Sequence, residues 1–582
     1  MSVLVFCFLL LGAEAFMSTN HRYSNWRVAD LSASVNDEAC QKENVVIIGA
    51  GWGGLSCANA LASSGRDVAV TVVDAAPRVG GLVRDGFDSI NGTRSAEAGQ
   101  HGFWDSYYNI FRFLEELPTI ANIDDVLTGY AEQGQYSPRG LEAVWPVYRD
   151  SKQLPTGLAQ AFYTRFLNLS PLDRMTAIPL VLAFSEFDDS KEAWEKYDQV
   201  SFRDLCVKLG VGRKMYFEAF ESMILTGLFA PGAECSAAAA LGMGTLVLDD
   251  RLKANLPECP QHEPLQPYFF VLSSQNAFDV RWCKGNVGEK IFDPWVEHLQ
   301  SLGVEFQLST RVQGFRTDDS KSITAIDCAV QDEDGAHELA IYADKVVFAV
   351  GGAALNRFVT CSPELAKHSD FRKFAYLRGL GVLATRLYLD TALDTPYSAN
   401  ACWGFDDGVG MTMFDITKLH ELDGETSIIE IDYYHANSLL LMSDEDIVDK
   451  AKQDLDTILG EEARRAKVTD AAVVRLPNAV NWYSPGSYSN MPDVKSSSLH
   501  NVFFAGDICR SRHGSWSQEK AYVTGIEAAN EILGRPEGTG IIKLQPDELH
   551  VSFGRDGLSA AKTVLGLGDV TRAPSLVDFL AI

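Results

Sequence analysis

The stretch VVIIGAGWGGLSCANALASSGRDVAVTVVD, residues 45–74, decides the fold. A β-branched run enters a Gly-rich turn, an Ala-rich helix follows, and a second β-branched run ends on an acid, which is the pattern of a βαβ unit. Gly49, Gly51 and Gly54 keep G-x-G-x-x-G spacing between strand and helix. Glycines there let the backbone approach a pyrophosphate, and the helix N-terminus supplies partial positive charge. Asp74 closes the second run about twenty residues on, where a carboxylate can bind a ribose hydroxyl. A dinucleotide, nicotinamide or flavin, is therefore expected on an α/β fold with a Rossmann-like domain.

The rest of the chain sets limits on what this unit serves. With 582 residues and 46% hydrophobic side chains, it exceeds what one core fills and should contain more than one packed region. A formal charge of −28 repels phosphate backbones, so nucleic acid is not an expected partner. Eleven cysteines are scattered without a C-x-x-C pair, which suggests buried thiols rather than a disulfide framework, and no metal site is expected.

At the start, SVLVFCFLLLG is too short to span a bilayer comfortably, and AEA at 13–15 fits a small-residue cleavage site. A Ser-rich stretch with basic residues follows it, with Asp30 as its first acid. Residues 1–40 are thus expected to be a signal plus transit-like presequence. This combination resembles the two-part plastid presequences of algae with complex plastids; the alternative is plain secretion.

Beyond the βαβ unit, EKIFDPWVEHLQSLG leads into strand-like runs up to FAVGG, and NVFFAGDI is a short buried strand before a helix at 518–533. The expected organisation is a discontinuous cofactor domain at 41–115, 281–355 and 481–535. Two inserts, 116–280 and 356–480, build a second domain, and 536–582 is a C-terminal tail. Residues 154–184 are apolar but broken by Arg165, Asp173, Arg174 and two prolines, so they cannot form a spanning helix. They form either a membrane-facing or tunnel-lining surface or an ordinary core.

The residues after the βαβ unit separate flavin from nicotinamide. DAAPRVGGLVRD resembles the segment after the ribose-binding acid in FAD-dependent amine oxidases and carotenoid desaturases, with Arg78, Gly80 and Gly81 at the matching positions. NVFFAGDICRSRHGSWSQEKAYVTGIEAA resembles the closing motif of the same superfamily, with Gly506, Asp507, Ser517, Glu519 and Gly525 matching and Thr524 in place of serine. In STRVQGF, Val312 matches the strand residue whose backbone pairs with adenine. EAGQHGF is similar to the Glu-x-Gly-x-His-x-Phe segment of plant and cyanobacterial carotenoid desaturases, through Glu97, Gly99, His101 and Phe103. In contrast, Gln518 stands where methionine is usual and Lys520 where glycine is, and the loop after Ala-Gly-Asp is one residue longer. These departures leave the exact substrate open.

The resemblance implies a Rossmann-like FAD-binding domain of the amine oxidase type interleaved with an α+β substrate domain. It implies non-covalent FAD held by Gly49, Gly51, Gly54, Asp74, Arg78, Gly80, Gly81, Val312, Gly506, Asp507, Ser517 and Glu519. The implied activity is desaturation or isomerisation of a lipophilic, carotenoid-like polyene, with quinone or oxygen taking the electrons and a peripheral membrane contact. An amine oxidase and a non-catalytic flavin-binding protein are the alternatives. His101 is the candidate catalytic side chain, to polarise the flavin or handle a proton, with simple packing as the other reading. Trp104, His513 and Trp516 are expected beside the ring. Lys284 and Arg386 read more readily as solvated or core-edge cations than as catalysts.

Overall fold

The structure is a computed structural model that describes residues 42–152, 154, 158–243, 275–332, 335–511, 513, 517–542 and 556–557. The expected presequence and most of the expected tail lie outside the described residues.

The β-branched runs at 45–48 and 68–73 become the strands Glu43–Ile48 and Val68–Val73, paired in parallel with Val46 opposite Thr71. Lys345–Phe348 pairs in parallel on the other side of the first strand, and Glu305–Gln307 and Val502–Phe504 occupy the edges. In chain order the strands lie third, second, first, fourth, fifth. Connections therefore leave the first strand toward both sides, and the crevice this opens at its C-terminal end is where such sheets bind ligands. Both sheet faces are covered, which explains why these strands read as continuous apolar runs rather than alternating ones. Val45 and Ile47 pack on the side of Trp52, Phe113, Trp295 and Tyr522. Val46 and Ile48 pack on the side of Phe315, Phe348, Phe371 and Phe504. The α/β class expected from the sequence holds.

Between the third and fourth strands lies an antiparallel meander, Thr310–Thr317, Ile323–Asp332 and Gly335–Tyr342. Strands from 133–166 and from 379–481 join in one eight-stranded sheet. Its order is Val468–Asn481, Gly379–Leu389, Ile428–Tyr434, Val409–Asp415, Ala399–Asp406, Gln133–Ser137, Gly140–Trp145, Arg165–Phe166. Its pairs are antiparallel except where Ala399–Asp406 meets Gln133–Ser137. The helix Asp444–Leu459, capped by Ser443 on the Asp446 N–H, lays Ile447, Ala451 and Leu455 against one face of this sheet, on Leu383, Ile431 and Tyr433.

Within 154–184 the chain forms the short helices Pro171–Met175 and Ile178–Glu186, each with a proline in its first turn. Among the described residues no helix is long and apolar enough to cross a membrane. Seven of the eight described cysteines are buried, and none of the eight forms a disulfide.

Candidate flavin site

Gly49 takes φ +114, and a Cβ there would lie 2.2 Å from the Ala349 carbonyl oxygen. The turn can therefore close onto the fourth strand only through glycine. The Gly49 N–H donates to the Val73 carbonyl at 2.8 Å, which binds the turn to the end of the second strand. A Cβ on Gly54 would meet the Gly49 oxygen at 1.9 Å, so this glycine sets how closely the helix Trp52–Ala62 lies on the turn. The helix begins at Gly51 with no side-chain cap, leaving its first N–H groups available to an anion.

Asp74 lies beside this turn. Its Oδ2 accepts the Ala50 N–H and its Oδ1 the Ala76 N–H, both at 2.8 Å. Burial raises its carboxyl, while those two donors, Arg84 and Arg311 pull it back. The Gly80 N–H donates to the Ala50 carbonyl at 2.8 Å, bringing Gly80 and Gly81 against the Gly-rich turn. Arg78 points elsewhere: its Nε donates to Asp85 at 2.6 Å and its Nη2 to Asp293 at 3.3 Å. The cation close to Asp74 is Arg84, which also donates to the Gly81 carbonyl at 3.0 Å. Its position six residues after Arg78 carried no recognisable signal. Val312 pairs with Cys328, and a bulge directly follows it.

The closing motif comes to the same place. Gly506, at φ +116, donates its N–H to Thr524 at 2.9 Å. Asp507 is held by Asn481 Nδ2 at 2.8 Å and by the Tyr483 hydroxyl at 3.2 Å, and burial raises its carboxyl. Asn481 in turn accepts the Gly352 N–H at 2.7 Å. Neither Asn481 nor Tyr483 lies in a motif, so only the fold reveals them. Lys520 is buried, with its charge felt by Asp507 and its ammonium 5.8 Å from the Tyr483 ring. Cys509 is buried too, and its thiol is pushed far up, which keeps it protonated.

The first turn of the helix Gln518–Leu533 ties the pieces together. Ser517 caps it through the Lys520 N–H at 2.9 Å. Gln518 accepts from the Trp52 indole at 2.8 Å and donates to the Gly102 carbonyl at 3.0 Å. Glu519 accepts the N–H groups of Asn109 and Ile110 and the Asn109 side chain at 2.7–3.0 Å. Both of its oxygens are thus occupied at the start of the helix Tyr108–Glu116. Burial lifts its carboxyl to about 7 against those donors. Glu519→Ala should cost about 2–3 kcal/mol in a denaturant melt, because two buried backbone donors lose their acceptor. Glu519→Gln should cost less, and equal losses would contradict this role.

The 97–103 segment lies over the eight-stranded sheet. Glu97 Oε1 accepts from Gln100 at 2.7 Å and from Arg386 at 3.4 Å, and its Oε2 takes the Val287 N–H at 2.9 Å. Arg386 also donates to Glu430 at 2.6 Å. The sequence reading of Arg386 as a solvated or core-edge cation is corrected by the fold: it is fully enclosed, on a strand facing two carboxylates. Lys284 is a core-edge cation, 21% exposed and paired with Glu421 at 2.7 Å. His101 is half-buried, and burial holds its imidazole down to about 4, so the ring is neutral. Its buried Nδ1 has no hydrogen-bond partner among the described residues. Phe103 packs edge-on against Trp52 at 6.3 Å, in a cluster beneath the Gly-rich turn. His513 is half-buried, and Trp516 lies outside the described residues.

The arrangement fits an FAD. A glycine turn and an uncapped helix end suit a pyrophosphate, Asp74 suits a ribose, and the orphaned His101 nitrogen stands beside the segment that the closing helix grips. Among the described residues no group of His, Cys, Asp or Glu could hold a metal ion.

Residues 52–533 match the family model described as flavin containing amine oxidoreductase. Over 509 residues the chain is 24% identical to a 15-cis-phytoene desaturase, chloroplastic/chromoplastic, of Solanum lycopersicum, covering 84% of this chain and 77% of that one. A 15-cis-phytoene desaturase of Synechococcus elongatus is 23% identical over 510 residues, covering 85% and 96%. Cyclohexylamine oxidase from Brevibacterium oxydans IH-35A shares the fold with a TM-score of 0.57 at 16% identity, over 85% of this chain and 100% of that one. With the family model running from the start of the helix Trp52–Ala62 to the end of the closing helix Gln518–Leu533, the chain belongs to the flavin-containing amine oxidoreductase family and is an FAD-dependent oxidoreductase.

Proposed function

We propose that this enzyme holds FAD non-covalently and desaturates or isomerises a carotenoid-like polyene. The observation that carries this reading is the 97–103 segment, in which Glu97 and Gln100 are anchored to the sheet while His101 stays neutral and free of hydrogen bonds at Nδ1. Such a wall suits an uncharged chain laid against a ring system better than a cation. The relatives described as phytoene desaturases support the same reading.

Bound FAD would supply the hydride acceptor for an allylic carbon, with the vicinal proton released to solvent as the double bond forms. The residues of this chain then have modest tasks. The turn at Gly49 and Gly51 and the start of the helix Trp52–Ala62 bind the diphosphate, and Asp74 orients a ribose. Asp507, fixed by Asn481 and Tyr483, orients the chain leading to the ring. The neutral His101 adjoins the reacting region. Positioning of the polyene supplies most of the acceleration. In a desaturation the two electrons would pass on to a quinone or to oxygen, whereas an isomerisation returns them to the polyene.

To test this, the purified protein is examined for a flavin absorption band and then mixed anaerobically with phytoene, ζ-carotene, lycopene or putrescine. A polyene should bleach the band or return with altered double bonds on chromatography. Bleaching by putrescine alone would replace this reading with an amine oxidase.

A membrane contact accompanies the proposal. Phe162, Leu167, Leu172, Met175 and Ile178 expose more than half of their surfaces, Leu172 as much as 74%, with Arg165 and Lys214 exposed nearby. An apolar patch with cations at its edge suits a bilayer surface. The protein should co-sediment with mixed phosphatidylcholine–phosphatidylglycerol vesicles, and a Phe162→Glu/Leu172→Glu variant should bind roughly tenfold less. Equal sedimentation would remove the patch from the account. Plastid delivery by the signal plus transit-like presequence is part of the same proposal, supported by the chloroplastic relatives.

A further inference from the structure

One face of the eight-stranded sheet rests on the helix Asp444–Leu459 and is apolar. The opposite face differs. Its register places Ala384, Asp432, Thr412, Ala401 and Gln135 in a single row across five strands. Those residues are small or polar, and Asp432 stands at the centre with only 4% of its surface exposed. Tyr434 and Glu430 flank it along its own strand, with Arg386 opposite Glu430.

Residues 99 and 100 press onto Asp432 from above. The Gln100 N–H donates to Asp432 Oδ2 at 3.1 Å, and a Cβ on Gly99 would stand 2.8 Å from the same oxygen. Asp432 Oδ1 is buried and has no hydrogen-bond partner among the described residues, and His101 Nδ1, two residues beyond Gly99, is in the same condition. Burial, together with the charge of Glu430, raises the Asp432 carboxyl well above the usual carboxylate range, opposed by the Gln100 N–H and Arg386. With Oδ2 accepting from Gln100, Oδ1 is the oxygen left to carry the proton.

A buried O–H donor without an acceptor is costly, and native structures avoid leaving one unmade. A hydrocarbon polyene offers no atom to relieve it. We propose that the polyene taken by this site carries an oxygen function, a hydroxyl or a keto group, which accepts a hydrogen bond from Asp432 beside the 99–101 segment. This rests on the proposed polyene reading and narrows it to oxygenated carotenoids. Sites built to hydrogen-bond an oxygen reject the analogue lacking it far more strongly than apolar pockets reject an extra methylene.

The test uses the purified FAD-loaded protein and a matched pair of probes, β-carotene and its dihydroxy derivative zeaxanthin. Equilibrium binding is followed by quenching of protein fluorescence and by the shift of the carotenoid absorption band, so no turnover is needed. Zeaxanthin should bind at least tenfold more tightly, and Asp432→Leu, which is close in shape but has no donor, should bring the two affinities within a factor of about two. The wild-type ratio stands by itself should the variant fail to fold. Equal affinities in the wild type, or a ratio unchanged in a folded Asp432→Leu protein, would overturn the oxygen-recognition proposal while leaving the polyene reading intact. Binding of neither carotenoid by FAD-loaded protein that does bind putrescine would overturn both, and would assign the carboxylates around Asp432 to an ammonium ligand.

Discussion

A Gly51→Ala protein should fold and melt like the wild type, yet lose FAD affinity by roughly 100-fold. Gly51 sits at φ −92 and ψ −170, ordinary extended backbone open to any residue. A Cβ there would have Gly81 Cα at 3.7 Å and the Gly80 oxygen at 3.9 Å as nearest neighbours, which is plain van der Waals contact. Nothing in the protein itself therefore demands glycine at this position. The demand comes from what lies against the turn: a methyl group in front of the uncapped helix end takes the space through which a diphosphate approaches the backbone. Gly49→Ala is the control, because its Cβ would fall 2.2 Å from the Ala349 oxygen at a positive φ and must disturb the fold. Dye-monitored melting and flavin absorbance per polypeptide separate the two variants. Gly51→Ala protein carrying a full complement of flavin would refute the assignment, and so would a melting loss matching that of Gly49→Ala.

The reasons for these two glycines differ, and the sequence shows only that both are glycine. Local periodicity made the parallel sheet legible, because a βαβ unit is encoded within thirty or so residues. It also placed Asp74 at the end of the second strand, beside the Gly-rich turn. Relations between distant segments were not legible. Arg78 and Arg84 both lie close enough to the Gly-Gly pair to reach a cofactor, and only the fold turns Arg78 to Asp85 and Asp293 and leaves Arg84 beside Asp74. Glu519 looked like a cofactor contact because of its motif, but its carboxylate meets Asn109 and Ile110, about 410 positions earlier in the chain. Trp104, expected beside the ring, is half-buried on the strand Gly102–Trp104. Its strand neighbour Phe103 packs on Trp52 in the core beneath the turn, where Phe113 also meets Trp52 and Trp295 because the amphipathic helix Tyr108–Glu116 buries the face its spacing creates.

Arg386 shows the same limit most sharply and leads to the second large effect. Arg386→Met should cost about 3–5 kcal/mol near neutral pH, because it removes the cation facing Glu97 and Glu430 in a site closed to water. The loss should depend on pH in a defined direction. Burial raises the Glu97 carboxyl from 4.5 to about 8, with Glu430 pushing it further up and Arg386 pulling it down. Its proton is thus bound more tightly in the folded state than in the unfolded one. The stability this contributes is complete below about 4.5 and is lost as pH rises through about 8. Without Arg386 the upward push on Glu97 is unopposed, so the melting temperature should fall more steeply from about pH 5.5 to 8.5 in Arg386→Met than in the wild type. Glu97→Gln removes one of the two raised carboxyls that Arg386 holds down, Asp432 being the other, and should lessen that fall. Glu519 and Asp198, raised to about 7 and about 6, slope the same way in every one of these proteins and cancel in the comparison. Parallel pH profiles for wild type and Arg386→Met would mean that the guanidinium does not hold these carboxylates. The buried cluster would then owe its stability to hydrogen bonds from Gln100 and Val287 alone.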